Sequence, residues 1–253
     1  MIRIAAVGDV HAGLDSVGTI GPRLLDLAAV ADVLLLAGDL TKGGEPEEAS
    51  VLAGELTGLG LPIVAVLGNH DHHADRPDEV AARLTDMGVQ VLEGSSTVLE
   101  VEGVRLGVVG AKGFAGGFEG ASATAFGERE MKDFVDHTKE RANAVDRELV
   151  RLDADVRVLL LHYAPVRDTL LGEPTELYPW LGSYLFAEVA DRHGVDLVLH
   201  GHAHAGTEKG NTPAGIPVRN VAMPVIRRPY AVYEFQEDGL TVSAASEDEE
   251  LTA

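Results

Sequence analysis

The sequence predicts an α/β fold of α+β character, with two mixed β-sheets packed together and helices outside them. Three observations lead to that architecture. From Ile2 to Met87, short wholly apolar runs alternate with stretches of helical spacing, the pattern of parallel βαβ units. From Val89 to Val109, and again beyond Val218, apolar runs crowd together with only turns or short loops between them. No repeat of fixed period and no long linker interrupts the chain. Residues 1–245 are therefore expected to form one domain, with an acidic, frayed tail over 246–253.

Ile2–Val7 reads as a buried strand, because a continuous apolar run fits a strand covered on both faces. Arg23–Ala31 reads as a helix, Val33–Ala37 as a second strand and Glu45–Leu56 as a second helix. Ile63–Leu67 follows as a strand and Pro77–Met87 as a helix. Val89–Leu92, Thr97–Val101 and Val104–Val109 read as neighbouring strands, with Glu102-Gly103 a hairpin turn. A glycine-rich loop, Gly110–Gly127, leads into a long charged helix over Glu128–Leu152. Val156–Leu161 is a further strand, followed by a loop holding Pro165, Pro174 and Pro179. Leu181–Arg192 reads as a helix and Val195–His200 as a strand. Val218–Ala222, Tyr230–Phe235 and Leu240–Ala244 close the chain as strands.

Composition narrows the chemistry. The 253 residues are enough for one core that buries roughly three quarters of the unfolded surface. There is no cysteine, which excludes disulfides, thiolate metal sites and cysteine nucleophiles. Any bound metal must take nitrogen and oxygen ligands. The 41 Asp and Glu outnumber the 20 Lys and Arg, leaving a formal charge of −21. That field repels nucleic acid and anionic membrane at long range. The apolar run at the start is too short for a signal peptide, and none approaches the about 20 residues that span a bilayer. The protein is expected to be soluble and cytoplasmic.

The chemistry sits where the strands end. Ile2–Val7 runs into Gly8-Asp9-Val10-His11, and Val33–Ala37 into Gly38-Asp39. Ile63–Leu67 runs into Gly68-Asn69-His70-Asp71, Val156–Leu161 into His162, and the last buried strand into Gly201-His202-Ala203-His204. In open α/β sheets, sites form at the carboxyl ends of strands. Residues two apart in extended chain point the same way, so Asp9 with His11, and His202 with His204, can each aim two ligands at one side. The mixed set Asp9, His11, Asp39, Asn69, His162, His202 and His204 suits Mn²⁺, Fe or Zn²⁺ better than Mg²⁺ or Ca²⁺. Seven ligands exceed what one tetrahedral ion takes, but suffice for two ions bridged by a carboxylate. Asp9 and Asp39 as helix caps, or Asn69 as a turn residue, would be ordinary uses of those side chains; none of them explains the histidines.

These blocks, in this order between residues 8 and 204, resemble the calcineurin-like metallophosphoesterases. The resemblance implies a four-layer αββα sandwich. It implies that Asp9, His11 and His204 hold one metal, that Asn69, His162 and His202 hold the other, and that Asp39 bridges them. It also implies that His70 binds no metal and faces the leaving group, with Asp71 orienting its ring.

Physical chemistry is consistent with such a centre. Two cations acidify a water between them and neutralise phosphoryl oxygens as charge shifts in the transition state. A poor leaving group then needs a proton, which an imidazole is suited to give near neutral pH; a carboxylate beside it, here Asp71, would keep that imidazole charged. The expected activity is hydrolysis of small phosphate esters, diesters ahead of monoesters on family resemblance alone. A phosphatase, a nuclease and a non-catalytic scaffold are the alternatives. The charge and the lack of a basic stripe weigh against the nuclease, and the complete ligand set with His70 weighs against the scaffold. The remaining histidines are read blandly: His137 and His193 as helix-surface residues, His200 as structural support, His72 and His73 as solvated loop. Trp180 and Tyr178 read equally as a pocket wall or as anchors of their loop, and Phe114, Phe118 and Phe126 as lining a cleft or packing their own loop. Specificity is expected in the loops Lys112–Gly127 and Tyr163–Gly182.

Overall fold

A computed structural model of the protein describes residues 1–236 and 239–243. In chain order its strands are β1 (Ile2–Val7), β2 (Val33–Ala37), β3 (Ile63–Val66), β4 (Gln90–Val91), β5 (Ser95–Val101), β6 (Val104–Ala111), β7 (Gly117–Phe118) and β8 (Ala121–Ser122). They continue with β9 (Val156–Leu161), β10 (Leu197–His200), β11 (Lys209–Asn211), β12 (Pro217–Asn220), β13 (Ala231–Gln236) and β14 (Gly239–Ser243). The helices are α1 (Leu27–Val30), α2 (Pro46–Leu56), α3 (Pro77–Asp86), α4 (Arg129–Arg151), α5 (Tyr178–Leu181), α6 (Leu185–His193) and α7 (Met223–Ile226).

Two six-stranded mixed sheets form, in the orders β14-β13-β1-β2-β3-β4 and β11-β12-β10-β9-β6-β5. In the first, β1, β2, β3 and β4 run parallel and β13 is antiparallel to β1. In the second, β6, β9, β10 and β12 run parallel, and the two edge strands are antiparallel to their neighbours. The period of two along a strand explains how the sheets stack. Leu106 and Val108 of β6, Val158 and Leu160 of β9, and Leu197 and Leu199 of β10 join the core shared with the first sheet. Their alternates Val109, Ala111, Leu159, Leu161 and Val198 face the other way, onto α4 and α6. The long α4 buries Val135, Thr138, Ala142, Val145 and Leu149, the three-and-four spacing of one helical stripe, although it is charged elsewhere. The first sheet is covered by α1, α2 and α3 through Leu27, Leu52, Leu56, Val80 and Leu84. Helices, sheet, sheet and helices make four layers, as expected.

Local departures have local causes. Pro46 and Pro77 start α2 and α3 at the position where a missing N–H costs nothing. The continuous helix expected over Arg23–Ala31 is broken: a 3₁₀ turn occupies Gly21–Leu24, and only the single turn α1 follows. Glu102 and Gly103 both have positive φ, 48° and 80°, as a two-residue hairpin of this twist requires. The glycine-rich loop contains the small ribbon β7–β8, and α6 starts at Leu185 rather than Leu181 because Gly182 and Ser183 hydrogen-bond across to Gly117 and Ala164. The expected final strand is present as β14 through Ser243; its last residue, Ala244, and the tail 246–253 lie outside the described residues. Among the described residues no helix is long and apolar enough to cross a membrane.

Leu160 is fully buried between the sheets. Leu160→Ala should lower unfolding free energy by about 2–5 kcal/mol in urea melts, whereas Val98→Ala, on an exposed position of β5, should cost less than about 0.5 kcal/mol. Equal losses at the two sites would contradict the layer assignment.

Candidate metal centre

The parallel strands β1, β2 and β3 of one sheet and β9 and β10 of the other end on the same rim of the sandwich. Backbone contacts stitch the ends of the two sheets together: Gly8 N donates to Val221 O at 2.8 Å, and Met223 N to Gly8 O at 3.0 Å. The loops leaving these strands bring together all seven predicted ligands. Asp9, His11, Asp39 and His204 form one group, and Asp39, His162 and His202 another; within each, one ligand atom per residue lies within 4.8 Å of the rest. Asp39 belongs to both. Asn69 joins the second group, its Oδ1 2.9 Å from His162 Nε2.

The backbone is bent hard to achieve this. Asp9, His11, Asp39 and His202 have φ of 58°, 46°, 48° and 71°, four of the seven non-glycine residues with positive φ among those described. Each such residue costs about 1–3 kcal/mol, and strain of this kind clusters at functional sites. Two glycines allow the close approaches. A Cβ on Gly68 would lie 2.1 Å from Asp39 Oδ1, and one on Gly201 would lie 2.2 Å from Asp9 Oδ2. Only glycine lets those backbones pass so near the carboxylates.

Burial then sets the electrostatics. Asp9 and Asp39 are 3 % and 1 % exposed. Asp9 accepts from His202 N at 3.0 Å and lies 2.7 Å from His204 Nε2; burial raises its pKa, against the pull of His204. The same contact raises the pKa of His204. Asp39 accepts from His70 N at 2.8 Å. Burial lowers the pKa of His11, and pushes His162 and His202 down to about 3. These rings are therefore neutral, the form that binds metal.

Three observations show that the residues fit cations. His162 Nδ1 lies 2.9 Å from the Ala37 carbonyl, which can only accept, so Nδ1 carries the proton. Its Nε2 lone pair then faces Asn69 Oδ1 and, at 3.2 Å, Asp39 Oδ1 with no hydrogen between. An ion at that point would satisfy all three donors, and the Ala37 contact is the second contact that orients a ligating histidine. His11 Nε2 is buried with no hydrogen-bond partner, 3.8 Å from Asp39 Oδ2. Buried carboxylates sharing a site are costly unless positive charge accompanies them.

His70 stands beside the groups without belonging to either. Its Nδ1 lies 2.8 Å from the Lys42 carbonyl, so Nδ1 is the donor and Nε2 faces the centre, 3.9 Å from Asp39 Oδ2. The expectation that Asp71 orients this ring is corrected by the structure. Asp71 is fully buried and accepts from Gly68 N at 2.7 Å, Thr41 N at 2.8 Å, Thr41 Oγ1 at 2.6 Å and Leu40 N at 3.1 Å. No hydrogen bond or ion pair joins it to His70 among the described residues. It braces the two loops that carry Asp39 and Asn69. Burial raises its carboxyl to about 6, against those hydrogen bonds. Lys42, missed in the sequence, acts through its carbonyl, which no side-chain pattern reveals.

Among the other histidines, His200 is buried and held by Gly201 O and Thr169 Oγ1, a structural role. The aromatic residues divide. Tyr178 and Phe118 are buried in a small cluster under the loop, while Trp180 is exposed and Phe126 more so.

The histidine shifts set a pH dependence. His162, His200 and His202 fall from an ordinary 6.5 to about 3, about 4 and about 3, all through burial. Each takes up its proton more readily when unfolded. The stability each contributes is complete above about pH 6.5 and is lost as pH falls toward about 4. Asp9, Asp71 and His204, whose pKa values are raised, run the other way, but they stand against six histidines lowered by burial: His11, His72, His137, His162, His200 and His202. Metal-stripped protein should therefore melt at lower temperature at about pH 5 than at about pH 7, and added Mn²⁺ should raise the melt more at the higher pH. A pH-independent melt would refute this account.

The chain is similar to known proteins in sequence and in fold. The family model for calcineurin-like phosphoesterases matches residues 2–206. A probable cyclic nucleotide phosphodiesterase of Synechococcus is 28 % identical over 181 residues, covering 71 % of this chain and 60 % of that protein. The chain thus matches less than two thirds of that relative's length. The crystal structure of the phosphopantetheinyl hydrolase of Mycobacterium tuberculosis superposes with TM-score 0.64 at 17 % identity, over 98 % of this chain and 97 % of the other. GAP50, described as the anchor in the inner membrane complex of Plasmodium, superposes with TM-score 0.60 at 12 % identity, over 99 % and 87 %. At such identities the structural likeness establishes the fold alone.

Proposed function

The chain belongs to the calcineurin-like phosphoesterase family, and on that premise we propose that it is a dinuclear-metal hydrolase of phosphate esters, with diesters ahead of monoesters. The observation that carries this reading is the pair of ligand groups meeting at Asp39. Asp9, His11 and His204 would hold one ion, Asn69, His162 and His202 the other, and Asp39 would contact both. The all-nitrogen-and-oxygen set suits Mn, Fe or Zn. Two such ions, when bound, supply an acidified water and positive charge for the phosphoryl oxygens.

The chain's own residues do the rest. Neutral His11, His162 and His202 offer lone pairs without first losing a proton. Ala37 O fixes the tautomer of His162, and Lys42 O fixes that of His70. His70 Nε2, facing the centre, is placed to give a proton to the leaving oxygen. Asp71 is a positioning residue, holding Gly68, Leu40 and Thr41 so that Asp39 and Asn69 keep their separation. The preference for diesters draws support from the name of the Synechococcus relative and from charge. A diester approaches the −21 chain as a monoanion, a monoester as a dianion.

Metal-stripped protein given Mn²⁺ should hydrolyse bis(p-nitrophenyl) phosphate faster than p-nitrophenyl phosphate. No turnover of either with Mn, Fe or Zn would overturn the enzyme reading and favour a scaffold. His70→Ala should retain both ions by elemental analysis yet lose about 10²–10⁴ in kcat, most for poor leaving groups; loss of metal instead would mean that His70 is a ligand. Raising ionic strength from about 0.01 M to about 0.15 M shortens the screening length from about 30 Å to about 8 Å. It should raise kcat/KM more for the monoester than for the diester; an equal response would remove the charge argument.

A further inference from the structure

A chain of rings runs from the ligand histidines to the surface. The ring of His202 lies 4.3 Å from that of Tyr163, Tyr163 5.9 Å from Phe114, Phe114 5.3 Å from Phe134, and Phe134 5.8 Å from Trp180. Tyr163 is nearly buried, whereas Trp180 is 59 % exposed, so the row grades from dry to wet.

One cation stands over this row. Lys112 Nζ lies 5.4 Å from the Phe114 centroid and 5.7 Å from that of Tyr163. Its carbonyl accepts from both His162 N and Tyr163 N at 3.0 Å, so the residue is built onto the strand end that carries a predicted ligand. The ammonium makes no hydrogen bond or ion pair among the described residues. The Glu93 carboxylate, which accepts from the Lys112 backbone N–H at 2.9 Å, attracts the ammonium without pairing with it. Stacking over rings returns only about 0.5–1 kcal/mol, and the half-buried ammonium keeps its donors free for an anionic oxygen.

We propose that this row is a substrate subsite, in which Lys112 binds an anionic oxygen of the phosphate ester and the Phe114, Phe134 and Trp180 rings take a planar ring carried by its alcohol. The proposal rests on the phosphoesterase reading of the neighbouring centre. It narrows the substrate class to esters of nucleoside-like or aryl alcohols, since every such ring has a face to stack and a plain polyol has none.

Trp180 is the single tryptophan of the chain and reports on its own subsite. Mn²⁺-loaded protein is mixed rapidly with AMP or with ribose 5-phosphate, so that binding is read from fluorescence before turnover. AMP should quench saturably and bind about tenfold tighter than ribose 5-phosphate. Lys112→Met should weaken both about tenfold, Lys112→Arg should retain most of the affinity, and Phe134→Ala should erase the preference for AMP. Melting temperatures of the variants verify folding, and Lys112→Gln replaces Lys112→Met if the latter is unfolded. Equal affinity of the two ligands in the parent protein, or a folded Lys112 variant lacking charge that binds AMP as the parent does, would overturn the subsite. Loss of diesterase turnover with the AMP preference intact would strike the hydrolase reading alone; turnover without the preference would strike the subsite alone.

Discussion

Two carboxylates, Asp9 and Asp39, buried where the rims of the two sheets meet, organise this molecule. A buried carboxylate must be surrounded by donors or by cations. Here the donors come from the opposite sheet or from a neighbouring loop: His202 N and the His204 ring reach Asp9, and His70 N reaches Asp39. The contacts that neutralise the carboxylates are therefore also contacts that close the sandwich at this end. His162, from the second sheet, completes the closure by reaching Ala37 O in the first. The two functions of these side chains, holding the sheets in register and converging on a point, cannot be separated.

The apolar interior makes such a rim possible. Strands covered on both faces fix the heights of their own ends, so the residues just beyond them emerge at defined positions. Close packing leaves the loops little freedom, and the bends that remain are sharp. Asp71 supplies the local rigidity, with its oxygens occupied by three backbone amides and the Thr41 hydroxyl from two loops. A buried acid fully occupied by backbone donors is an internal brace, and its distance from the chemistry in role, though not in sequence, is what separates it from its neighbour His70.

The sequence made the strands and the ligands legible because both depend on short patterns: an apolar run, a glycine, then a hard or borderline donor. Convergence of Asp9, His11, Asp39, Asn69, His162, His202 and His204 follows from parallel strands ending on one rim, which topology rules anticipate. What remained hidden depends on where a loop folds back. Adjacency suggested that Asp71 serves His70, but a 3₁₀ turn over His70–His72 points consecutive side chains in different directions, and Asp71 turns inward. The helix expected over Arg23–Ala31 is split into a 3₁₀ turn and a single α turn, although Leu24, Leu27 and Ala31 are buried at helical spacing. Lys112 and its aromatic row draw on three distant segments, residues 112–114, Phe134 and 163–180, whose meeting no local spacing encodes. Tyr178 and Trp180, two positions apart, were ambiguous together and proved different, one anchoring its loop and one standing in solvent.

The left-handed backbone at Asp9, His11, Asp39 and His202 is the least stable choice available at those positions. Glycine would adopt those angles without steric penalty, and at Asp9 and Asp39 a neutral residue would spare the cost of a buried charge. Stability of the fold alone therefore gives no account of these four residues.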